Sequence, residues 1–184
     1  IEEADSFERR SVQTVLYEIL SSLIRLMAPI LPYTSEEVYK LLPGTKEKSV
    51  HLERFPEVQT YKDEEEVREL FDLFFDIKAD VYKALEEARN EKVIGKSLEA
   101  KVLLNLREED KETLKPIAFK LKQLLIVSDV VLTALDLPKY EYCGVQVQKF
   151  DGGRCERCWN YFSETDLTDG LCPRCVNIVS KREL

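Results

Sequence analysis

Apolar residues recur at helical spacing near the start of the chain. This spacing predicts a helix from about Ser6 to Ala28. Asp5 and Glu8 have the spacing of a capping box at its start, and Pro29 ends it. The apolar positions of this helix are Val12, Val15, Leu16, Ile19, Leu23 and Met27.

Two more helices are predicted in the first half of the chain. The second begins at Thr34 and stops at Pro43-Gly44, and a long connection covers residues 45–62. Asp63 caps the third, which keeps a 3.6-residue apolar period to about Gly95. Its outer face is acidic, and we interpret this face as a solvated surface rather than as a pair of catalytic carboxylates. The acids of this face are Glu64, Glu65, Glu69, Asp72, Asp76, Asp80, Glu86 and Glu87.

The apolar period changes to two in the middle of the chain, which indicates strands. A first strand is predicted over residues 98–106, and a helix over about residues 109–121, interrupted at Pro116. The apolar run at residues 124–132 predicts a second strand, and residues 145–150 predict a third. The order of strand, helix, strand and strand favours a small α+β unit.

Two C-x-x-C knuckles lie near the C-terminus. Cys155 and Cys158 form the first, Cys172 and Cys175 form the second, and each knuckle bends the backbone so that two thiolates face one centre. Gly-Gly before the first knuckle and Asp-Gly before the second supply permissive backbone angles. This spacing predicts one structural Zn²⁺ held by four sulfurs, with no open position for catalysis.

Other chemistries of four cysteines are weaker alternatives. Two disulfides are typical of small secreted scaffolds, and a redox C-x-x-C opens a helix after a strand. A single-iron centre remains possible with this spacing, but zinc is the usual ion in a closed four-cysteine shell.

The predicted fold class is therefore α+β, in three parts. We expect an N-terminal helical bundle at residues 1–95 and a small mixed α/β junction unit at residues 96–150. A four-cysteine zinc-knuckle module should occupy residues 151–184.

The composition excludes some classes of protein. No apolar run approaches the roughly 20 residues of a membrane helix, and reduced cysteines suit the cytoplasm. The net charge of −8 argues against nucleic-acid binding by the whole surface. From Lys139 onward, however, seven basic residues balance seven acidic ones, so the zinc end is the least acidic part. Cys143 is expected to be a buried or semi-buried thiol, and His51, the one histidine, a structural residue.

Several stretches resemble the C-terminal part of a bacterial isoleucyl-tRNA synthetase. The segment Ile-Gly-Lys-Ser-Leu-Glu-Ala followed by Cys-Glu-Arg-Cys-Trp is the most specific, whereas Met-Ala-Pro-Ile-Leu-Pro is shared by several class I synthetases. The matching residues are 9–17, 26–32, 49–52, 89–100, 149–159 and 172–175.

The resemblance implies an anticodon-binding helical domain of the class I synthetase type, truncated at its N-terminus, and a zinc finger that contacts the anticodon arm of isoleucine tRNA. It also implies a monomeric cytoplasmic parent enzyme that catalyses ATP-dependent aminoacylation. Both ATP-binding signatures of that enzyme are absent from this sequence, so we expect no catalytic residues and ATP binding only in the rest of the synthetase chain. The expected partners are isoleucine tRNA and that remaining chain, with no membrane.

Candidate tRNA contacts lie beside the metal ligands. Arginines between the cysteines of a knuckle, Arg157 and Arg174, are expected to be exposed and to contact phosphate, and the one tryptophan could cover the metal shell or stack on a base. These candidates are Lys149, Arg154, Arg157, Trp159 and Arg174.

Two other functions are weaker alternatives. The finger could be the DNA-binding segment of a base-excision glycosylase, or a zinc-ribbon module for protein interaction. The glycosylase interpretation is disfavoured because its helical domains are basic, whereas the helices here are acidic.

Overall fold

The computed structural model describes residues 2–44 and 47–181. The first two residues of the predicted 45–62 connection, Thr45 and Lys46, lie outside the described residues. The chain divides into two compact units, Ile1–Tyr61 and Lys62–Leu184. Within the described ranges, no helix combines the length and the apolar character needed to cross a membrane.

The first unit contains two helices and a short 3-10 turn. Helix α1 is Phe7–Met27, helix α2 is Pro32–Leu41, and the 3-10 turn is Val50–Leu52. The N-cap of α1 is Ser6 rather than Asp5, because the Ser6 side chain accepts a hydrogen bond from the backbone N–H of Arg9. Helix α2 begins at Pro32, earlier than the predicted start at Thr34. Proline is tolerated at this position because the backbone N–H groups of the first helical turn have no intrahelical acceptor. The core of this unit consists of Ile24, Ala28, Tyr39, Leu42 and Val50.

The apolar stripe of α1 is largely exposed. Leu16 is 59% exposed and Ile19 is 57% exposed, whereas Ile24 is the helix's buried residue at 5%. The periodicity therefore predicted the helix correctly, but most of its apolar positions lie outside the core of this unit.

The second unit begins with the long helix α3, Glu64–Asn90, whose apolar side packs in the main core. The predicted acidic outer face is wrong at one position, because Asp80 is only 5% exposed. Its carboxylate accepts hydrogen bonds from the backbone N–H groups of Glu141, Tyr142 and Cys143, at 3.3, 2.7 and 2.9 Å. Asp80 therefore fixes the loop before the last sheet strand onto α3.

A three-stranded sheet packs against α3. Strand β1 is Ala100–Asn105, β2 is Asp129–Leu132 and β3 is Gly144–Lys149, in the order β2-β1-β3. Strand β1 pairs parallel with β2 and antiparallel with β3. Each of the three predicted strands has a counterpart in this sheet, although β2 covers only the last part of its predicted range, and Cys143, just before β3, is buried. The largest fully buried side chains of this core are Phe74, Ile77, Leu85, Leu104, Leu114 and Leu125.

The crossover from β1 to β2 differs in detail from the prediction. Helix α4 is Glu108–Leu114. A 3-10 segment that contains Pro116, Lys115–Lys120, follows it, and helix α5 is Leu121–Leu124. The prediction of a strand from residue 124 is wrong, because β2 begins only at Asp129. Leu125 and Val127 are buried although they lie in a segment without regular secondary structure, and Ile126 between them has a left-handed φ of 58°. An apolar run indicates burial and does not by itself distinguish a strand from a buried turn.

The end of the second unit holds the predicted four-cysteine module. A two-stranded ribbon pairs β4, Gly153–Arg154, with β5, Tyr161–Phe162. A 3-10 turn, Glu164–Asp166, and helix α6, Pro173–Ser180, follow. The sequence pattern did not predict α6.

Candidate metal centre

The first knuckle is the turn between β4 and β5. The backbone N–H of Cys155 donates to the carbonyl of Asn160 at 2.9 Å, and the N–H of Trp159 donates to the carbonyl of Cys155 at 2.9 Å. Trp159 closes this turn with a left-handed φ of 65°. Gly152 is required before the ribbon, because a Cβ there would lie 2.1 Å from the carbonyl oxygen of Phe162. The ribbon therefore positions Cys155 and Cys158 on one tight turn.

The second knuckle combines a turn with the start of α6. Asp169 and Gly170 both adopt left-handed backbone, with φ of 50° and 74°, as the Asp-Gly pair predicts. Cys172 is the N-cap of α6, and Cys175 lies in its first turn. The backbone N–H of Glu156 donates to the carbonyl of Gly170 at 3.0 Å, so backbone hydrogen bonding joins the two knuckles directly.

The four cysteine sulfurs form one cluster. All four Sγ atoms lie within 4.8 Å of one another, and those of Cys158 and Cys172 are 3.8 Å apart. Four sulfurs at about 2.3 Å from one zinc ion lie about 3.8 Å from each other in a tetrahedral shell. Cys155, Cys172 and Cys175 are fully buried, and all five cysteines of the chain, each in the described part, are free thiols. The cluster therefore fits one closed zinc site and not a pair of disulfides.

Backbone amides and burial act in opposite directions on the thiols. Burial raises the pKa of Cys155, but the backbone N–H groups of Cys158, Cys172 and Arg157 outweigh it and bring this pKa to about 6. The amide of Cys172 lies 3.3 Å from the Cys155 sulfur. Burial raises the pKa of Cys172 to about 12, and the neighbouring cysteines add to the increase. A zinc ion at the centre supplies the positive charge that ionises coordinating thiols.

Aliphatic and aromatic side chains pack against the cysteine cluster. Phe162, Leu167 and Leu171 pack against the cysteines. Trp159 is 61% exposed, which leaves much of its indole open to solvent.

The basic candidates from the sequence differ in exposure. Arg174 is exposed, as expected, and Lys149 and Arg154 are exposed as well. Arg157 is half-buried, and its Nη1 lies 3.4 Å from the Sγ of Cys175. The expectation that the geometry of the knuckle exposes Arg157 is therefore wrong, because one of its donors faces a metal ligand.

A buried serine attaches the ribbon to the sheet. Ser128, which is 7% exposed, accepts a hydrogen bond from the backbone N–H of Tyr161 at 2.9 Å and donates to the carbonyl of Leu98 at 2.5 Å. Sequence reasoning missed this residue. The only signal was a Ser-Asp pair that interrupts the apolar run before β2.

Residues 1–104 match the family model described as the anticodon-binding domain of tRNA ligase. The chain belongs to this anticodon-binding family. Residues 152–178 match a second family model, described as a zinc finger found in FPG and IleRS. The four clustered cysteines lie within this zinc-finger match, so the metal that fits them is zinc.

Curated relatives are similar to this chain over nearly its whole length. It is 48% identical to the isoleucine–tRNA ligase of Staphylococcus carnosus (strain TM300), over 98% of the chain and 20% of that ligase. It is 44% identical to the isoleucine–tRNA ligase of Bacillus mycoides (strain KBAB4), over 98% of the chain and 21% of that ligase. The chain thus spans about a fifth of the length of the curated relatives that it matches.

Proposed function

We propose that this chain is the part of an isoleucine–tRNA ligase that holds the anticodon arm of isoleucine tRNA. In this role it positions the tRNA for ATP-dependent aminoacylation by the rest of the ligase chain, in the cytoplasm and in a monomeric enzyme. The observation that carries the proposal is 44–48% identity to isoleucine–tRNA ligases over 98% of the chain. The anticodon-binding match over residues 1–104 supports it.

The proposal assigns functions to three parts of the chain. Residues 1–95 form the anticodon-binding portion, residues 96–150 the junction and residues 151–184 the finger. The family match ends at residue 104, within β1, nine residues after the proposed limit at residue 95. Helix α3 belongs to the anticodon-binding portion in sequence, although it shares its core with the sheet.

The zinc end is the part of the surface best suited to RNA. Lys149, Arg154 and Arg174 are exposed there, and each could contact a phosphate or sugar. Phosphates are repelled by acidic surfaces, and the exposed side of α3 carries many carboxylates. We therefore place the RNA contact at the finger rather than along α3.

Trp159 is the proposed base-stacking residue. The residue is 61% exposed on a turn whose backbone is fixed by the knuckle, so a base could stack on its ring without displacing the core. Zinc has a structural role in this scheme, because it holds the turn that presents the tryptophan and the arginines.

A titration of the zinc-loaded chain with RNA tests the proposal directly. Trp159 is the only tryptophan, so its fluorescence reports contact at the finger without a label. Unmodified isoleucine tRNA, a second tRNA and duplex DNA should be compared at about 50 and 200 mM salt. We expect quenching and tightest binding with isoleucine tRNA, and binding that weakens as salt rises.

A variant and a matched control separate stacking from a general loss of aromatic surface. Trp159→Ala should keep its zinc and lose about 1–3 kcal/mol of binding free energy, measured by filter binding. Phe119→Ala removes the ring of a residue that is 74% exposed in the 3-10 segment after α4, and this variant should bind RNA as the unaltered chain does.

Two outcomes would contradict the proposal. Equal affinity for duplex DNA and isoleucine tRNA would favour a finger of the glycosylase type, a class that the zinc-finger description also names. Equal affinity for all tRNAs with unchanged Trp159 fluorescence would remove the anticodon assignment.

A further inference from the structure

Arg157 contacts metal ligands from both knuckles. It lies between Cys155 and Cys158, and its backbone N–H is one of the groups that lower the pKa of the Cys155 thiol. Its side chain reaches the other knuckle, where Nη1 lies 3.4 Å from the Sγ of Cys175. Arg157 thus acts on two sulfurs that are 20 positions apart in the sequence, on Cys155 through its backbone amide and on Cys175 through its side chain.

The charge of the site explains why this contact matters. Four thiolates around one divalent cation leave a net negative charge in a cluster whose ligands are nearly all buried. A guanidinium is protonated at every physiological pH, and it offsets part of that charge without titrating. A hydrogen bond from a charged donor is also stronger than one from a neutral amide.

The position of Cys175 adds a mechanical reason. Cys175 lies in the first turn of α6, whereas the ribbon that carries Arg157 belongs to the first knuckle. The contact between Nη1 of Arg157 and Sγ of Cys175 therefore links α6 to the first knuckle in addition to the link through the metal. Groups that hydrogen-bond to metal ligands orient those ligands, and their loss typically weakens metal binding by about 10- to 100-fold.

We propose that Arg157 is a positioning residue of the zinc site, whose guanidinium holds the Cys175 sulfur and slows release of the metal. Its main role is thus within the finger, and its contribution to RNA binding follows from the integrity of the finger. This inference rests on the zinc site and is independent of the identity of the tRNA.

The test compares metal release from three variants of the chain. Arg157→Ala removes the contact, Arg157→Lys keeps the charge on a different donor, and Arg154→Ala removes an equal charge from an exposed residue beside the same knuckle. Zinc transfer to a chromogenic chelator is measured in the absence of RNA. We expect Arg157→Ala to release zinc about 10- to 100-fold faster, Arg157→Lys to fall between, and Arg154→Ala to match the unaltered chain.

Cobalt substitution gives a readout that a general loss of stability does not change. The sulfur-to-cobalt charge-transfer band depends on electron density at sulfur, which a hydrogen bond withdraws. Arg157→Ala should move this band to longer wavelength, whereas Arg154→Ala should leave it in place.

The proposal is overturned if Arg157→Ala and Arg154→Ala release zinc at the same rate with the same cobalt spectrum. If Arg157→Ala fails to fold, the Arg157→Lys comparison decides, and an unchanged spectrum and rate in that variant would overturn the proposal as well. Because no RNA is present, failure here is distinguishable from failure of the anticodon-arm assignment.

Discussion

The hydroxyl of Ser128 accepts a hydrogen bond from the backbone N–H of Tyr161, 2.9 Å away. The same hydroxyl donates to the carbonyl of Leu98 at 2.5 Å, so one buried serine joins the zinc ribbon to the segment that leads into β1. This attachment does not involve the metal.

Ser128→Ala should loosen that attachment while zinc remains bound. The variant leaves the Tyr161 amide and the Leu98 carbonyl without their partner, which costs about 1–3 kcal/mol of unfolding free energy. Chemical denaturation measures the loss, and elemental analysis measures the zinc. The control is Ser180→Ala, an exposed serine with a local bond to the carbonyl of Asn177, expected to change stability by less than about 0.5 kcal/mol. Equal stability of the two variants would show that the ribbon does not depend on Ser128.

Removal of zinc should unfold the finger alone. The cysteine cluster and the main core are separate, since the cysteines pack with Phe162, Leu167 and Leu171 and the main core packs around α3 and the sheet. About one zinc per chain is expected by elemental analysis. After chelation, far-ultraviolet circular dichroism should lose only the contribution of α6, eight residues long. Loss of most of the helical signal would show that the two cores unfold together.

Asp80→Asn should destabilise the second unit. The native carboxylate accepts from three backbone N–H groups, whereas an asparagine offers one oxygen and presents its own donors to the same amides. We expect a loss of about 2–3 kcal/mol in unfolding free energy, measured by denaturant titration. Asp72→Asn, on the exposed side of the same helix, serves as the control and should be nearly neutral. A neutral Asp80→Asn would contradict the role of this carboxylate.

Glu99 should contribute to stability in a pH-dependent way. Its pKa lies below the ordinary 4.5, chiefly because the backbone N–H of Gly95 donates to the carboxylate at 2.8 Å. Because the folded-state pKa is depressed, the contribution is fully present above pH 4.5 and is lost as pH falls through the folded-state value. Glu99→Gln should therefore be less stable than the unaltered chain at neutral pH, and the difference should shrink in acid. The measurement covers roughly pH 3 to pH 7, the range that brackets carboxylate titration. A difference in unfolding free energy between the two proteins that stays constant over this range would refute the prediction.

Two apolar positions of α1 should respond differently to truncation. Ile24→Ala removes a buried side chain from the first unit and should cost about 2–5 kcal/mol in its unfolding free energy. Leu16→Ala removes a side chain that is 59% exposed and should cost less than about 0.5 kcal/mol. Denaturant titration followed by circular dichroism measures both. A large cost at Leu16 would mean that this side chain is covered in solution.

The sequence by itself determined the metal centre. Its ligands come in two pairs, each three residues apart, and the bend of each pair is set by nearby residues such as Asp169 and Gly170. The long helices and the strands were predictable for the same reason, because periodicity depends on neighbours in the chain.

Only the tertiary structure decided which polar groups are buried and what they contact. Asp80 meets Cys143 across 63 positions and Ser128 meets Tyr161 across 33, so no local pattern distinguishes them from surface residues. The exposed stripe of α1 shows the converse, since periodicity identifies an apolar face but not what covers it. Arg157 combines both cases: its place in the knuckle is local, but its contact with Cys175 depends on how α6 folds back onto the ribbon.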